Sequence, residues 1–211
     1  MKAISLQLIL FLSFSSLAYP QDTSVTQVNQ SLRSELLKMQ TDDQKYRDEV
    51  AKIRQTSLTA DEKQKRVSAL MGKQARLDKR NIKRLVQIID KYGWPGRSLV
   101  GSEASLTAFL IIQHADLADQ KKYFPMLKEA VRKGEAKQDY AALLEDRILM
   151  REGKRQIYGS QLHSNPVTKQ LELWPIEDEE NVDARRASVG LEPLAEYVKR
   201  FGLEYKPLKQ K

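Results

Sequence analysis

The stretch LIIQHAD, residues 110–116, places three side chains capable of chemistry at the end of an apolar run. His114 is one of only two histidines in the chain, and Gln113 and Asp116 lie beside it. An imidazole can act as a general acid or base near neutral pH, and a nearby carboxylate can orient it. The pattern predicts either a ligand site or a structural histidine–carboxylate pair at the C-terminal end of a buried helix.

Two further charged residues occupy positions that a buried helix face normally gives to apolar side chains. Asp78 lies between Met71 and Ile82 on one helical stripe, and Arg147 lies among leucines in LLEDRIL. A buried carboxylate needs a cation or hydrogen-bond donors, and a half-buried arginine needs a carboxylate from the protein or from a ligand. Each residue therefore belongs either to a structural ion pair or to a site.

Asp146 precedes Arg147 and is, with Asp116, a candidate for orienting His114 in a hydrolase. Glu145 and Asp146 are adjacent and project about 100° apart on a helix, so they do not form an acid/base pair. The chain has no GxSxG, HExxH, phosphate-binding glycine loop or calcium loop, and the sequence predicts no metal site and indicates no particular cofactor. Cysteine is absent, which excludes thiol nucleophiles, thiolate metal sites and disulfides.

The segments that must position these residues have apolar side chains at mainly helical spacing. One apolar stripe predicts a long helix over about 25–55, and a second stripe predicts another over about 60–92. A capping-box pattern at Thr59 starts the second helix, and Gly93 in the turn GWPG ends it. The sequence therefore predicts an N-terminal αα-hairpin within residues 19–92.

Residues 93–205 predict a helical body. A nearly all-apolar helix over about 103–114 belongs in the middle of the fold. Further helices are predicted over about 116–134 and 138–152, each ending near a glycine. The apolar helix carries His114 at its end, and the last of the three carries Asp146 and Arg147.

The body also contains one predicted β-hairpin. Strand-like segments on both sides of HSNPVT place this hairpin near residues 156–174, with His163 exposed in its turn. Two short helices over about 182–189 and 192–201 follow, and a basic tail covers 206–211. The predicted fold is mainly α: an αα-hairpin packed on a helical body with one small β-hairpin.

The chain carries, in order, the motifs GWPG, QHAD, EDR, YGSQ and IEDEENVDARR. Together they resemble a bacterial family catalogued as a domain of unknown function, in which the fourth motif reads YG(S/T)Q and the last IED…VD.RR. The resemblance runs from about Gln44 to Gly202 and implies no activity. It does place ten residues at family motif positions: Trp94, Gln113, His114, Asp116, Asp146, Arg147, Tyr158, Gly159, Gln161 and Asp178.

These motifs each end or interrupt an apolar face, so we expect their polar side chains to converge. His114, Arg147 and Tyr158 are predicted to share a cleft of about 300–1,000 Å³, with Gln113 and Gln161 as further ligand-binding residues. The catalytic candidates are His114, Asp116 and Asp146, whereas Asp78, Trp94 and Asp178 are predicted to be structural or part of the site.

Three functions are compatible with this pattern. The first is a module that binds a small polar or acidic ligand through a cluster of His, Asp, Arg and Tyr side chains. The second is a hydrolase that uses His114 with Asp116 or Asp146 as acid and base. The third is a structural or interaction protein whose basic helical hairpin is the working surface.

Charge is concentrated in the hairpin. The formal net charge of the chain is +8, and residues 54–91 contain 11 Lys and Arg against four Asp and Glu. A basic helix face can attract an anionic surface or polymer, or can simply be a solvated face. Few aromatic residues lie among these charges, which argues against nucleic acid as the partner.

The N-terminus has the layout of a secretory signal peptide. A positive start at Lys2 precedes an apolar segment over 4–17, and small residues end at Ala18. Residues 1–18 are therefore predicted to be removed, which leaves a mature chain that begins at Tyr19. No comparable apolar stretch follows, so we expect no transmembrane segment after the signal peptide and a soluble protein that is secreted or periplasmic.

Overall fold

The computed structural model describes residues 27–165, 167–168 and 170–206. Within these residues the chain forms seven α-helices, one short 3-10 helix and one two-stranded antiparallel sheet. The predicted fold class is confirmed, since an N-terminal helical hairpin packs on a helical body with one small β-hairpin. The predicted signal peptide, and the basic tail beyond Lys206, lie outside the described residues.

Helices α1 (Gln30–Arg54) and α2 (Ala60–Tyr92) form the hairpin. Helix α1 begins later than the predicted residue 25 because the side chain of Asn29 accepts a hydrogen bond from the amide of Leu32 and caps the first turn. Helix α2 begins at the predicted capping box, in which Thr59 and Glu62 exchange hydrogen bonds. Both helices bury one stripe of apolar side chains against the body.

The outer part of the hairpin, residues 51–73, is here called the hairpin tip. No residue between Val50 on α1 and Gln74 on α2 is buried. Basic residues outnumber acidic ones in the tip by six (52, 54, 63, 65, 66 and 73) to two (61 and 62). The tip therefore lies outside the hydrophobic core and carries a positive charge. No helix in the described part of the chain is long and apolar enough to cross a membrane.

Helix α3 (Arg97–His114) is the central element of the body and packs against α1, α2, α4 and α5. It begins earlier than predicted, because one turn precedes a kink at Gly101, where φ is +80°. The Arg33 guanidinium fills the space at this kink and donates to the carbonyl oxygen of Val100 at 3.1 Å. This positive φ favours glycine, because a residue with a Cβ would be strained here and Arg33 would also have to shift to make room for it.

Helices α4 (Leu117–Arg132) and α5 (Gln138–Arg151) complete the main core. The rings of Phe109 on α3 and Tyr140 on α5 are stacked, with centroids 4.6 Å apart. This packing fixes α5 beside α3 and so determines where the EDR motif lies.

The β-hairpin is shorter than predicted. Strands β1 (Leu162–Ser164) and β2 (Leu171–Leu173) pair with His163 opposite Glu172. His163 therefore lies in a strand and not in the predicted turn, and its side chain is partly covered by Trp174. Residues 157–161 do not extend β1, because side chains from elsewhere bind their backbone, as described below.

The chain ends in a smaller core. The short 3-10 helix (Glu179–Asn181), α6 (Val182–Ser188) and α7 (Leu194–Lys199) follow β2. Four buried apolar side chains form this second core: Ile176, Val182, Leu194 and Val198. The two short helices are close to their predicted positions.

Candidate functional site

A cavity of about 560 Å³ lies where α1, α2 and α5 approach the C-terminal end of α3. We call it the arginine cavity; its lining residues are Arg47, Val50, Ala51, Arg54, Met71, Asp78, His114, Arg147 and Arg151. Four arginines and one histidine face a single carboxylate. The cavity brings together His114, Arg147 and Asp78, which lie on three different helices.

The one carboxylate of the lining is already paired. Arg47 donates to both oxygens of Asp78, from Nη1 at 3.0 Å and from Nη2 at 2.8 Å. The Gln74 amide donates to Asp78 Oδ1 at 2.8 Å and accepts a hydrogen bond from the backbone of α1. Asp78 thus links α2 to α1 and neutralises Arg47, which leaves the other three arginines without a lining carboxylate.

His114 is bound by a carboxylate that the sequence analysis did not identify. Its Nδ1 lies 3.1 and 3.0 Å from the two oxygens of Asp43, which is only 1% exposed. The Gln44 amide donates to Asp43 Oδ2 at 2.6 Å, and Arg47 donates to the Asp43 backbone carbonyl. Among the described residues the other ring nitrogen, Nε2, has no hydrogen-bond partner. An imidazole held at Nδ1 can use Nε2 to bind or to transfer a proton.

Arg147 has no partner within the described residues, neither a hydrogen-bond acceptor nor a carboxylate. Its Nε is buried without an acceptor. Burial, together with the nearby positive charge of Arg151, lowers the pKa of Arg147 to about 10. A half-buried guanidinium normally pairs with a carboxylate or a phosphate, so this one is missing its counterion.

Two more arginines complete the positive lining. Arg151 Nη1 donates to the carbonyl oxygen of Ala115 at 2.7 Å and so satisfies the C-terminal end of α3. Burial lowers the pKa of Arg151 as well. Arg54 is exposed at the mouth of the cavity, where the hairpin tip begins.

Neither predicted carboxylate partner binds His114. Asp116 is exposed and caps α4, because its side chain accepts from the amide of Asp119 at 2.9 Å. Asp146 is fully buried and accepts from the backbone amides of Ile157, Tyr158 and Ser160 at 2.7–2.9 Å. Both carboxylates are therefore committed to backbone groups, and Asp43 takes the role expected of them.

The YGSQ loop, residues 157–161, contributes no residue to the lining of the arginine cavity. Arg185 donates to the carbonyl oxygen of residue 157 at 3.0 Å, and Arg186 donates to the carbonyl oxygen of residue 158 at 2.6 Å. The Tyr197 hydroxyl donates to the carbonyl of Ser160 at 2.8 Å. The EDR motif thus binds the amide groups of the loop through Asp146. The IEDEENVDARR motif and α7 bind its carbonyl groups.

The two loop residues expected to bind a ligand do not line the arginine cavity. Tyr158 is partly buried, and this burial raises the pKa of its hydroxyl. Gln161 is buried, and its backbone exchanges hydrogen bonds with the side chain of Gln156. Their expected convergence with His114 and Arg147 on one cleft is not found.

The remaining predicted residues lie in three other places. Gln113 is buried beside α5 and donates to the carbonyl oxygen of Leu143 at 3.4 Å. Trp94 lines a separate cavity of about 500 Å³ with residues of α4. Asp178 is exposed in a left-handed conformation, φ 44°, and pairs with Arg185 at 2.9 Å. Among the described residues no group of three or more His, Asp or Glu could hold a metal ion.

Asp43, Arg47 and Arg151 were missed by the sequence analysis. The signal for Asp43 was available, because it lies four residues after Met39 and seven before Val50 on the buried stripe of α1. The same reasoning identified Asp78 on α2. Arg47 and Arg151 gave no such signal, because each is one of many arginines at a helix surface.

The fold and the cavity define a helical protein whose N-terminal hairpin and body enclose an arginine-lined space. The family model described as "Family of unknown function (DUF6624)" matches residues 30–211. The chain belongs to this family, which confirms the predicted resemblance to a domain of unknown function. No curated protein and no solved structure matches the chain.

Proposed function

We propose that the arginine cavity binds a small anionic ligand. The observation that carries the proposal is Arg147, a half-buried guanidinium without a hydrogen bond or ion pair among the described residues. Arginine forms paired hydrogen bonds with carboxylates and phosphates, and such charge-assisted bonds are the strong ones in proteins. A bound anion would supply the counterion that the fold does not.

The surroundings of Arg147 support an anion over a neutral ligand. Arg151 and Arg54 add positive charge, while Asp78 is paired with Arg47 and so does not compete for the site. The volume of about 560 Å³ lies within the range of small-molecule pockets, about 300–1,000 Å³. His114, Arg147 and Arg151 are thus the proposed ligand-binding residues, and Tyr158 is not among them.

Thermal denaturation with a panel of anions tests this proposal. We expect phosphate, sulfate, acetate or succinate to raise the Tm of the protein at constant ionic strength, because a ligand that binds only the folded state stabilises it. The Arg147→Met variant should lose this rise. Arg132→Met, at an exposed arginine on α4 that pairs with Glu129, is the matched control and should keep it. If no anion raises the Tm, or if Arg147→Met responds like the wild type, the proposal is wrong.

A hydrolase is the second candidate, favoured by the Asp43–His114 pair. A buried carboxylate at Nδ1 leaves Nε2 of His114 as the acid or base in a cavity with positive charge beside it. Turnover of phosphate or carboxylate esters that is abolished in both Asp43→Asn and His114→Gln would support this candidate. Ligand binding without turnover would favour a binding protein over a hydrolase.

The hairpin tip supports a third role, attraction to an anionic surface or polymer. Its six basic residues lie outside the core, and most of them are exposed. We further propose that the protein is exported as a soluble protein, with the mature chain beginning at Tyr19. Mass spectrometry of the periplasm or culture medium tests export, and an intact Met1 on cytosolic protein would contradict it.

A further inference from the structure

We infer that the anion is a phosphomonoester, a dianionic phosphate group on a small organic molecule. This inference rests on the proposed function of the arginine cavity and goes further by naming the ligand class. Three features of the cavity carry it: the number of uncompensated charges, the number of free donors, and the apolar part of the lining.

The first feature is charge. The four arginines of the lining are faced by two carboxylates, Asp78 in the lining and Asp43, which lies 3.6 Å from Arg47, so two positive charges remain when His114 is neutral. A monocarboxylate would compensate only one of them. A phosphomonoester carries about 1.5 to 2 negative charges at pH 7, and in a partly buried site each uncompensated charge raises the free energy. The dianion therefore matches the site better than a single carboxylate.

The second feature is the supply of hydrogen-bond donors. Arg147 makes no hydrogen bond within the described residues, and Arg151 uses only Nη1, on the carbonyl of Ala115. His114 has Nε2 without a partner, because Asp43 lies at Nδ1. These donors come from α5 and from the end of α3, so they approach from more than one direction. Three terminal phosphate oxygens can accept from all of them, whereas a carboxylate offers two oxygens in one plane.

The third feature is the apolar part of the lining. Val50, Ala51 and Met71 cover the side of the cavity formed by the hairpin, and Met71 is 40% exposed. A bare inorganic ion would leave Ala51 and Met71, the two exposed members of this group, uncovered. An organic group attached to the phosphate would cover them, which adds the free energy of burying apolar surface.

Isothermal titration calorimetry at pH 7.5 and constant ionic strength tests the inference with four probes: glycerol phosphate, inorganic phosphate, succinate and acetate. We expect glycerol phosphate to bind at least about tenfold more tightly than succinate, a ratio equal to about 1.4 kcal/mol, with inorganic phosphate between them and acetate weakest. If succinate or acetate binds as tightly as glycerol phosphate, this inference is wrong while the proposed anion site stands. If none of the four binds, both are wrong.

Two variants test whether the number of positive charges sets the ligand preference, at positions where a substitution should not unfold the protein. Arg54 is exposed and lies at the mouth of the cavity, so Arg54→Met should fold normally and reduce the preference for glycerol phosphate, a dianion, over acetate, a monoanion, by several-fold. Arg132→Met should leave this preference unchanged. An unchanged preference in Arg54→Met would overturn the argument from the number of charges.

The phosphate group can belong to a soluble molecule or to a lipid. Vesicles of phosphatidylcholine with either phosphatidic acid or phosphatidylglycerol, at equal surface charge, distinguish these sources, because only phosphatidic acid carries a monoester. Sedimentation with phosphatidic acid vesicles alone, lost in Arg147→Met, would assign the group to a lipid. Binding of glycerol phosphate without this selective sedimentation would assign it to a soluble molecule.

Discussion

Charged side chains surround the YGSQ loop and also line the arginine cavity, but their charges are paired around the loop and left partly unpaired in the cavity. Around the loop, Asp146 accepts from three amides, and Arg186 donates to two carbonyl groups. In the cavity, Arg147 has no acceptor among the described residues. Since buried polar groups in a stable fold are normally satisfied, the first region has the properties of scaffold and the second those of a site.

The EDR motif contributes to both regions. Asp146 and Arg147 are neighbours on α5, so their side chains project about 100° apart. One of them binds the YGSQ loop, and the other lines the cavity. Two neighbouring residues of one motif can therefore differ in their partners: Asp146 is fully hydrogen-bonded, whereas Arg147 has no partner among the described residues.

The largest effect is expected from Asp146→Asn. The substitution replaces an acceptor oxygen by an NH₂ group that faces backbone amides, so we expect the free energy of unfolding to fall by about 3 kcal/mol in urea denaturation. Asp139→Asn is the matched control on the same helix, because Asp139 Oδ1 is buried without a partner and burial raises the pKa of this carboxyl. It should cost less than about 1 kcal/mol. Equal losses in the two variants would remove the distinction between satisfied and unsatisfied groups.

The next prediction compares the loss of stability caused by substitutions at two residues of the cavity lining. Asp78→Asn removes the carboxylate that accepts two hydrogen bonds from Arg47 and leaves this arginine only its longer contact with the Asp43 carboxylate, so we expect the free energy of unfolding to fall by about 1–3 kcal/mol. His114→Gln keeps a donor for Asp43 and should cost less. Thermal melts of both variants beside the wild type measure the order. A larger loss in His114→Gln would make QHAD a scaffold motif.

A gain in stability is expected from Arg147→Met. The substitution removes a guanidinium whose pKa is lowered to about 10 by burial, and it keeps an unbranched apolar chain in the same place. Removing an unpaired charge should raise the Tm by about 2–4 °C, equivalent to about 1 kcal/mol in a domain of this size. Differential scanning calorimetry without added anions measures it. A clear loss of stability would show that Arg147 has a structural partner.

The smallest effect is expected in the hairpin tip. Lys65 and Arg66 are exposed and lie outside the core, so the double substitution to Gln should change the free energy of unfolding by less than about 0.5 kcal/mol. The same variant should weaken sedimentation with anionic vesicles if the tip attracts them. Unchanged sedimentation would exclude these two charges from that interaction.

Periodicity and capping predicted most of the fold because the information is local. The Thr59 capping box, Gly93 at the end of α2 and the apolar α3 all occur where their sequence patterns indicate them. The errors have non-local causes: β1 is short because Asp146, Arg185 and Arg186 bind the preceding backbone. The extra first turn of α3 similarly depends on Arg33, far away on α1.

The candidate site was predictable only in part. Asp78, His114 and Arg147 were identified because each interrupts or ends an apolar run, and all three line one cavity. Tyr158 and Asp146 carried equally strong motif signals, but their partners are backbone groups that no pattern of side chains reveals. Asp43 shows the converse, since its pairing with His114 spans 71 positions and depends on how α1 packs on α3.

The separation of the hairpin tip from the core has a consequence for the length of the protein. No residue of 55–70 is buried, and none belongs to the lining of the arginine cavity. Seven residues form about two helical turns, so adding seven to both α1 and α2 beyond Arg54 and before Met71 preserves the faces that the two helices present to each other. We therefore expect matched insertions to be tolerated here, and homologues with a longer hairpin should carry the extra residues at this end.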